Sequence, residues 1–349
     1  MNFASDNTAP LAPEVMAAIE AANRGSAASY GADPATARLQ DLARAVFETD
    51  LQVFPVATGT AANGLSLATV APPYGAIFCH ETAHILLEEC GAPEFYTGGA
   101  KLIGLPGAQG KLAPDTLREA IAAASASGVH HVKPAAVSLT QATEWGTVYR
   151  PDEIRALSEC ARAHGLRVHM DGARLANATA RLGCAPAELT WRAGVDVLSL
   201  GLTKDGALAA EAVVVFDPAL AEGLAERRKR AGHLLSKMRF LSAQLVAMLE
   251  EERWLRHAGH ANMMADRLAA GLGAIPDLRL VQPVEANELF VAMPQPLIEA
   301  LWGEGFVFYD WIEPPGEAGP IVRLVTSFAT QADQVDALVA AATRLHRTR

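Results

Sequence analysis

His169-Met-Asp-Gly-Ala-Arg174 and, beyond it, Ser199-Leu-Gly-Leu-Thr-Lys204 decide how this chain is read. Each closes a short strand candidate, Leu166–Met170 and Val195–Ser199, and the strand candidates of the chain are together dense in Val, Leu and Ile. Such runs are expected of strands buried on both faces of a parallel sheet. Ligands of doubly wound sheets sit beyond the carboxyl ends of the strands. Asp171 and Lys204 are therefore predicted at one ligand-facing edge, and the interval between them leaves room for a helix and a return strand.

Outward from these strands the same rhythm runs from about residue 35 to 216. Helices are predicted at Pro34–Phe47, Pro114–Ala124 and Pro151–His164, and strands at Ala76–Cys79, Ala135–Leu139 and Ala212–Phe216. This alternation gives an α/β fold with a mostly parallel sheet wrapped by helices. Pro218–Trp254 reads as a long, charged, helical stretch containing Glu226-Arg-Arg-Lys-Arg230. Beyond it, strands at Leu278–Val281, Glu288–Met293 and Ile321–Val325 and helices at Gln295–Trp302 and Gln331–Leu345 suggest a small α+β unit. The expected division is a large domain over 1–254 and a small C-terminal domain over 255–349. Glu313-Pro-Pro-Gly-Glu-Ala-Gly-Pro320 is a turn region without identifiable chemistry.

Composition narrows the function. The chain has 349 residues, half of them apolar, and a formal net charge of −10. A basic face for nucleic acid or anionic lipid is not indicated, since both partners are bound through cationic groups. The opening MNFASDNTAPLAPEV lacks a basic segment followed by an apolar one, and no uncharged apolar run reaches the roughly 18 residues of a membrane span. A cytoplasmic protein is expected. Cys79, Cys90, Cys160 and Cys184 have no Cys-x-x-Cys spacing and are read as free thiols.

Taken singly, Asp171 could be a helix N-cap and Lys204 a solvated lysine. Together they match the needs of an electron-sink cofactor of the pyridoxal type. Such chemistry needs a lysine to hold the cofactor as a Schiff base and a carboxylate to keep the pyridine nitrogen protonated. Ala57-Thr-Gly-Thr-Ala-Ala-Asn63, ahead of the helical run Gly64–Val70, offers small residues, the Thr60 hydroxyl and open amides to a phosphate. His84 could stack on a ring or shuttle a proton. One motif points elsewhere: His80-Glu-Thr-Ala-His84 matches the H-E-x-x-H pattern of zinc peptidases. His80 follows an apolar run, however, so the pair is not expected to share a helical face, and no metal site is assigned.

In their order along the chain these motifs resemble the low-specificity L-threonine aldolases, a branch of the β-eliminating lyase-like, fold-type I pyridoxal 5'-phosphate enzymes. The resemblance runs through Ser5-Asp-Asn7, Ser29-Tyr-Gly-Ala-Asp-Pro34, Thr58-Gly-Thr60, Glu81-Thr-Ala-His84, Gly98-Gly99 and Ser138–Thr147. It continues through Asp171-Gly-Ala-Arg174, Leu202-Thr-Lys204, Lys237-Met-Arg239 and Arg323-Leu-Val-Thr-Ser327. It implies that Lys204 forms the Schiff base, Asp171 pairs with the pyridine nitrogen, and His84 stacks over the ring. Gly59 and Thr60 would hold the phosphate, while Ser5, Arg174 and Arg323 would bind the substrate carboxylate. It further implies a homodimer or homotetramer in which Arg239 reaches the partner's phosphate.

Two departures from the family pattern stand out. Many relatives carry Thr-His, a histidine that contacts the substrate's β-hydroxyl, in the segment where this chain has Thr140-Gln141, and glutamine cannot act as a base. Ala61-Ala62 replaces a second glycine after the phosphate-loop threonine. The implied reaction is retro-aldol cleavage of threonine, allo-threonine or a relative such as phenylserine to glycine and an aldehyde, with His84 or a water it positions as base. The Asp–Lys pair also supports a β-eliminating lyase, a racemase or an aminotransferase on the same scaffold.

Overall fold

The computed structural model describes residues 1–126, 128–311 and 319–347. The turn region expected at Glu313–Pro320 falls largely on 312–318, outside the described residues. Seven strands form the main sheet: β1 Gln52–Val56, β2 Gly75–His80, β3 Lys101–Leu105, β4 Lys133–Thr140, β5 Arg167–Gly172, β6 Val197–Gly201 and β7 Glu211–Val215. Their order is β1-β7-β6-β5-β4-β2-β3. From β6 to β3 every pairing is parallel, whereas β7 runs antiparallel to both β6 and β1. The expected mostly parallel sheet is thus present, and its one reversed strand matters for the site. Because β7 returns beside β6, the connection Leu202–Ala210 is a tight loop. Lys204 sits on it, at the same sheet edge as the end of β5.

The two edge strands, β1 and β3, escaped the apolar pattern. Gln52-Val-Phe-Pro-Val56 contains a proline, which an edge strand tolerates because its N–H is not needed by a second neighbour. Lys101-Leu-Ile-Gly-Leu105 is broken by Gly104, where a Cβ would come within 2.8 Å of Leu86 Cδ2. The helices predicted at 34–47, 114–124 and 151–164 appear as Pro34–Phe47, Pro114–Ser125 and Pro151–Ala163, each with proline in its first turn.

Helix Gly59–Val70 lies against the sheet and is buried along nearly its whole length. Its composition, almost entirely small or apolar, suits a helix with no solvent face. The long helical stretch expected over Pro218–Trp254 is corrected: it is broken into Leu224–Arg230 and Arg239–Leu249, with a short 3-10 turn at each end. Gly232, at φ +80°, ends the first of these helices, and the run 231–238 then crosses beneath Tyr30, whose N–H donates to the Ser236 carbonyl.

A second sheet of four strands, β8 Arg279–Leu280, β9 Glu288–Ala292, β10 Tyr309–Trp311 and β11 Ile321–Val325, has the order β10-β11-β9-β8 and is antiparallel throughout. It encloses its own apolar cluster with the helices Arg253–Gly273, Gln295–Gly303 and Ala332–Arg347. The N-terminus joins it: Phe3 N–H donates to the Val307 carbonyl, and Val325 N–H to that of Phe3. That tether brings Ser5 and Asp6 to the seam between the two sheets. Among the described residues no helix is long and apolar enough to cross a membrane.

One close approach is testable in the fold itself. A Cβ on Gly172, at the end of β5, would lie 2.6 Å from Leu198 Cδ1 and 2.8 Å from the backbone oxygen of Ser199 on β6. Backbone cannot yield as a side-chain tip can. Gly172→Ala is expected to cost about 1–3 kcal/mol through overpacking, measured as a lower midpoint in chemical denaturation with an unchanged slope.

Candidate active site

Four strand ends and a buried helix converge beyond the C-terminal edge of the main sheet. Asp171 lies near the end of β5, in register with Thr140 on β4 and Ser199 on β6. Its two carboxylate oxygens are both engaged: Oδ1 accepts from Ala173 N–H at 3.1 Å and Oδ2 from Asn63 Nδ2 at 2.8 Å. Asn63 comes from the buried helix, and its Nδ2 also donates to Glu89 Oε1 at 2.9 Å. That same oxygen pairs with His84 Nδ1 at 3.1 Å, and this hydrogen bond pushes the imidazole up, favouring its charged form. A continuous line Asp171–Asn63–Glu89–His84 thus holds the half-exposed His84 ring.

Lys204 faces this line across the loop after β6. Among the described residues its Nζ makes no hydrogen bond and no ion pair, yet its charge reaches His84, Asp6, Asp205 and Glu211. Burial pushes the Glu211 carboxyl up to about 7 and Asp205 well above the usual carboxylate range. Behind Asp171, burial lowers His169 to about 4; the neutral ring is held between Ser138 and Ser199.

At one side of this edge the buried helix begins. Thr58 caps it, with Oγ1 accepting from Ala61 N–H and its carbonyl from Ala62 N–H. The amides of Gly59 and Thr60 have no acceptor among the described residues, and a Cβ on Gly59 would meet nothing within 4 Å. This is an open, positively polarised helix start, suited to an anion. Ala61 and Ala62 are buried, 2% and 1% exposed, so alanine here packs into the core and does not line the opening. His233 was not singled out from sequence; its Nδ1 accepts from Ala57 N–H beside the same start. Arg239 is not brought to Gly59 or Thr60 within the chain. It opens helix Arg239–Leu249 with its guanidinium 5.1 Å over the Phe240 ring and its buried Nε without a partner.

At the opposite side lie the arginines. Arg174 binds Asp6 through two hydrogen bonds of 2.8 and 3.0 Å, and its Nη2 lies 3.1 Å from Glu288 Oε1. Arg323, stacked 4.6 Å over Trp311, lies 3.8 Å from the same Glu288 oxygen and donates to the Ala4 carbonyl. Both guanidinium groups are therefore within reach of one carboxylate oxygen. Ser5 stands beside them, with its Oγ 3.4 Å from Asp6 Oδ1. Burial alone would raise the Asp6 carboxyl, but Arg174 and Lys204 hold it down at about 2. Asn287 Nδ2 also donates to Asp6.

The residues unforeseen from sequence, Asp6, Asn63, Glu89, Asn287 and Glu288, are polar groups inside apolar surroundings. Asn63, alone amid Gly-Thr-Ala-Ala and Gly-Leu-Ser-Leu, carried the clearest signal, because a polar side chain on an all-buried helix needs a partner. Gln141 is fully buried and turned away: its Nε2 donates to the Tyr149 carbonyl and its Oε1 accepts from Tyr149 N–H. The H-E-x-x-H motif also divides. β2 ends on His80, whose ring nitrogens bond to Thr82 Oγ1 and the Gly107 carbonyl. The described residues close enough to share a cation are His84, Glu89 and Asp171, a set that includes neither His80 nor Glu81.

Comparison with known proteins bears on this geometry. A family model described as beta-eliminating lyase matches residues 2–295. A low specificity L-threonine aldolase of a Pseudomonas species is 48% identical over 338 residues, covering 97% of this chain and 96% of that protein. The protein of the same name from Pseudomonas aeruginosa is 48% identical over 333 residues, covering 95% and 94%. The solved structure of Leishmania major threonine aldolase superposes with a TM-score of 0.92 at 28% identity, covering 99% of both chains.

Proposed function

The chain belongs to the beta-eliminating lyase family, and from that premise we propose that it is a pyridoxal-phosphate aldolase. It cleaves L-threonine, L-allo-threonine and related β-hydroxy-α-amino acids such as phenylserine to glycine and an aldehyde. The observation that carries this reading is a convergence along one sheet edge. An unpaired Lys204, an Asp171 fixed by two donors and an open helix start lie at that edge, and beside it two arginines reach one carboxylate oxygen.

These residues fit the cofactor. The free amides of Gly59 and Thr60 would hold its phosphate, Lys204 would hold its aldehyde carbon, and the Asp171 carboxylate would pair with its protonated ring nitrogen. When bound, pyridoxal phosphate supplies the electron sink for a bond broken at the α-carbon. Everything else falls to the chain. Asn63 and Ala173 aim the Asp171 carboxylate. Arg174 and Arg323 bind and orient the substrate carboxylate, with Ser5 beside them, and so select which bond to the α-carbon lies in position to break. His84 would cover the ring in an orientation set by Glu89.

The same reading divides the chain into a cofactor-binding unit over 1–254 and a small unit over 255–349. Helix Arg253–Gly273 packs against both Leu175–Leu182 and Ala332–Arg347. It also includes a cytoplasmic homodimer or homotetramer, in which Arg239 reaches the partner's phosphate; its unpartnered Nε supports that role. All four cysteines are free.

The test is a product assay on purified holoenzyme with L-threonine, L-allo-threonine and phenylserine, measuring aldehyde, ammonia and α-keto acid separately. Glycine and aldehyde in equal amounts are expected. Ammonia with keto acid, and no aldehyde, would reassign the chain to β-elimination or transamination on the same scaffold.

A further inference from the structure

The geometry points to Glu144 as the group that takes the proton from the substrate's β-hydroxyl, directly or through one water. This inference rests on the aldolase reading above and deepens it. In the Ser138–Thr147 segment Gln141 is spent on the Tyr149 backbone. Past it the chain folds back on itself: Thr143 N–H donates to the Thr147 carbonyl and Gly146 N–H to that of Thr143. The turn carries Glu144 to His84. Oε1 of Glu144 accepts from His84 N–H at 2.8 Å. Its other oxygen, Oε2, is buried and has no partner among the described residues.

A buried carboxylate oxygen without a donor is costly to leave so, and a β-hydroxyl or water would satisfy it. His84 is less suited to the task, because its Nδ1 is committed to Glu89 Oε1 and that bond favours the imidazolium, which has no lone pair to offer. Burial pushes the Glu144 carboxyl up to about 7, tempered by the His84 amide and the Thr140 side chain and raised further by Asp171. Both protonation states are then populated near neutrality, as a group that must accept and return a proton requires. The other titratable groups around it are Cys79 on β2, Tyr149, the His84 ring and Glu89.

The proton balance closes without an outside reagent. The β-hydroxyl O–H breaks, its proton moves to Oε2, and its electron pair becomes the second bond of the aldehyde carbonyl. The pair of the broken Cα–Cβ bond stays on the α-carbon side, and return of the proton to that carbon gives glycine.

Glu144→Gln preserves volume and the acceptor for His84 N–H but cannot take a proton. For the holoenzyme variant we expect kcat on threonine to fall about a hundredfold, with glycine binding, read from the visible absorbance change, unaltered. The wild-type limb of kcat/KM that rises through neutral pH should vanish. In the cofactor-free protein, difference infrared titration should show a protonated carboxyl near neutrality that Glu144→Gln removes, leaving the band of Glu211. Glu144→His should recover activity to within about tenfold of wild type; it also serves should the glutamine variant fail to fold. If wild type yields acetaldehyde while Glu144→Gln keeps kcat and the limb, Glu144 only positions His84 and the inference is overturned. If Glu144→His is as inactive as a nonpolar replacement, it is likewise overturned. Should wild type yield no acetaldehyde, the aldolase reading itself falls and takes this one with it.

Discussion

Lys204→Ala is expected to lose threonine cleavage by roughly a thousandfold or more, the scale seen when the covalent centre of an enzyme is removed. The charge of Lys204 has a second effect to separate from its chemistry. It helps hold Asp6 ionised and opposes the rise of Asp205 and Glu211. Lys204→Arg keeps a cation on the loop but cannot condense with an aldehyde. Both variants should therefore be inactive, while only alanine should let Glu211 and Asp205 protonate more readily. Borohydride reduction followed by peptide mass analysis gives the direct readout: the cofactor should be fixed to the Lys204 peptide in wild type and absent from both variants. Turnover by Lys204→Arg near the wild-type rate would remove the lysine from the mechanism.

Asp171→Asn is expected to cost about 10²–10³-fold in kcat, the range for deleting a preorganised electrostatic partner of the reacting centre. The change is isosteric but not innocent. Both oxygens of Asp171 accept, one from Asn63 Nδ2 and the other from Ala173 N–H. An asparagine must turn its NH₂ toward one of these donors whichever way it is placed. A buried donor facing a donor costs about 1–3 kcal/mol, so a stability loss of that size should accompany the kinetic one. Measuring denaturation midpoints beside kcat separates the two. An Asp171→Asn enzyme that kept wild-type kcat would show that its negative charge has no part in the reaction.

Much of the site was legible because its residues occupy strand ends and turns, where local sequence fixes position. Asp171 lies near the end of one strand candidate, and Lys204 soon follows another. Thr58-Gly-Thr60 announces a helix start by its small, hydroxyl-bearing residues. The partners that orient these groups lie far away in the chain. Asn63 and Asp171 are 108 positions apart, and Arg174 and Asp6 are 168 apart. No period or spacing connects such pairs.

The fate of the Ser138–Thr147 segment shows the limit most clearly. Reading along the chain, Gln141 occupies the place where the family pattern has a histidine, a departure with no partner visible in the local sequence. In the fold Gln141 braces Tyr149, while Glu144, three residues on, reaches His84. A turn, not the strand register, decides which side chain faces the site. Similarly, a charged stretch over 218–254 reads as one helix until Gly232 and the crossing beneath Tyr30 break it.

The sequence by itself determined the α/β class, the sheet edge on which the candidate lysine and aspartate lie, and the small-residue helix start at Thr58-Gly-Thr60. Those features follow from hydrophobic periodicity and from the few conformations open to each local segment. Only the tertiary structure decided that β7 runs backward so that Lys204 lies on a tight loop, and that two arginines share the reach of one carboxylate. It also decided that Glu144 keeps an unpaired oxygen beside His84. The physical reason is that burial and hydrogen bonding among residues distant in sequence set these charges and orientations, and local sequence does not encode which distant groups will meet.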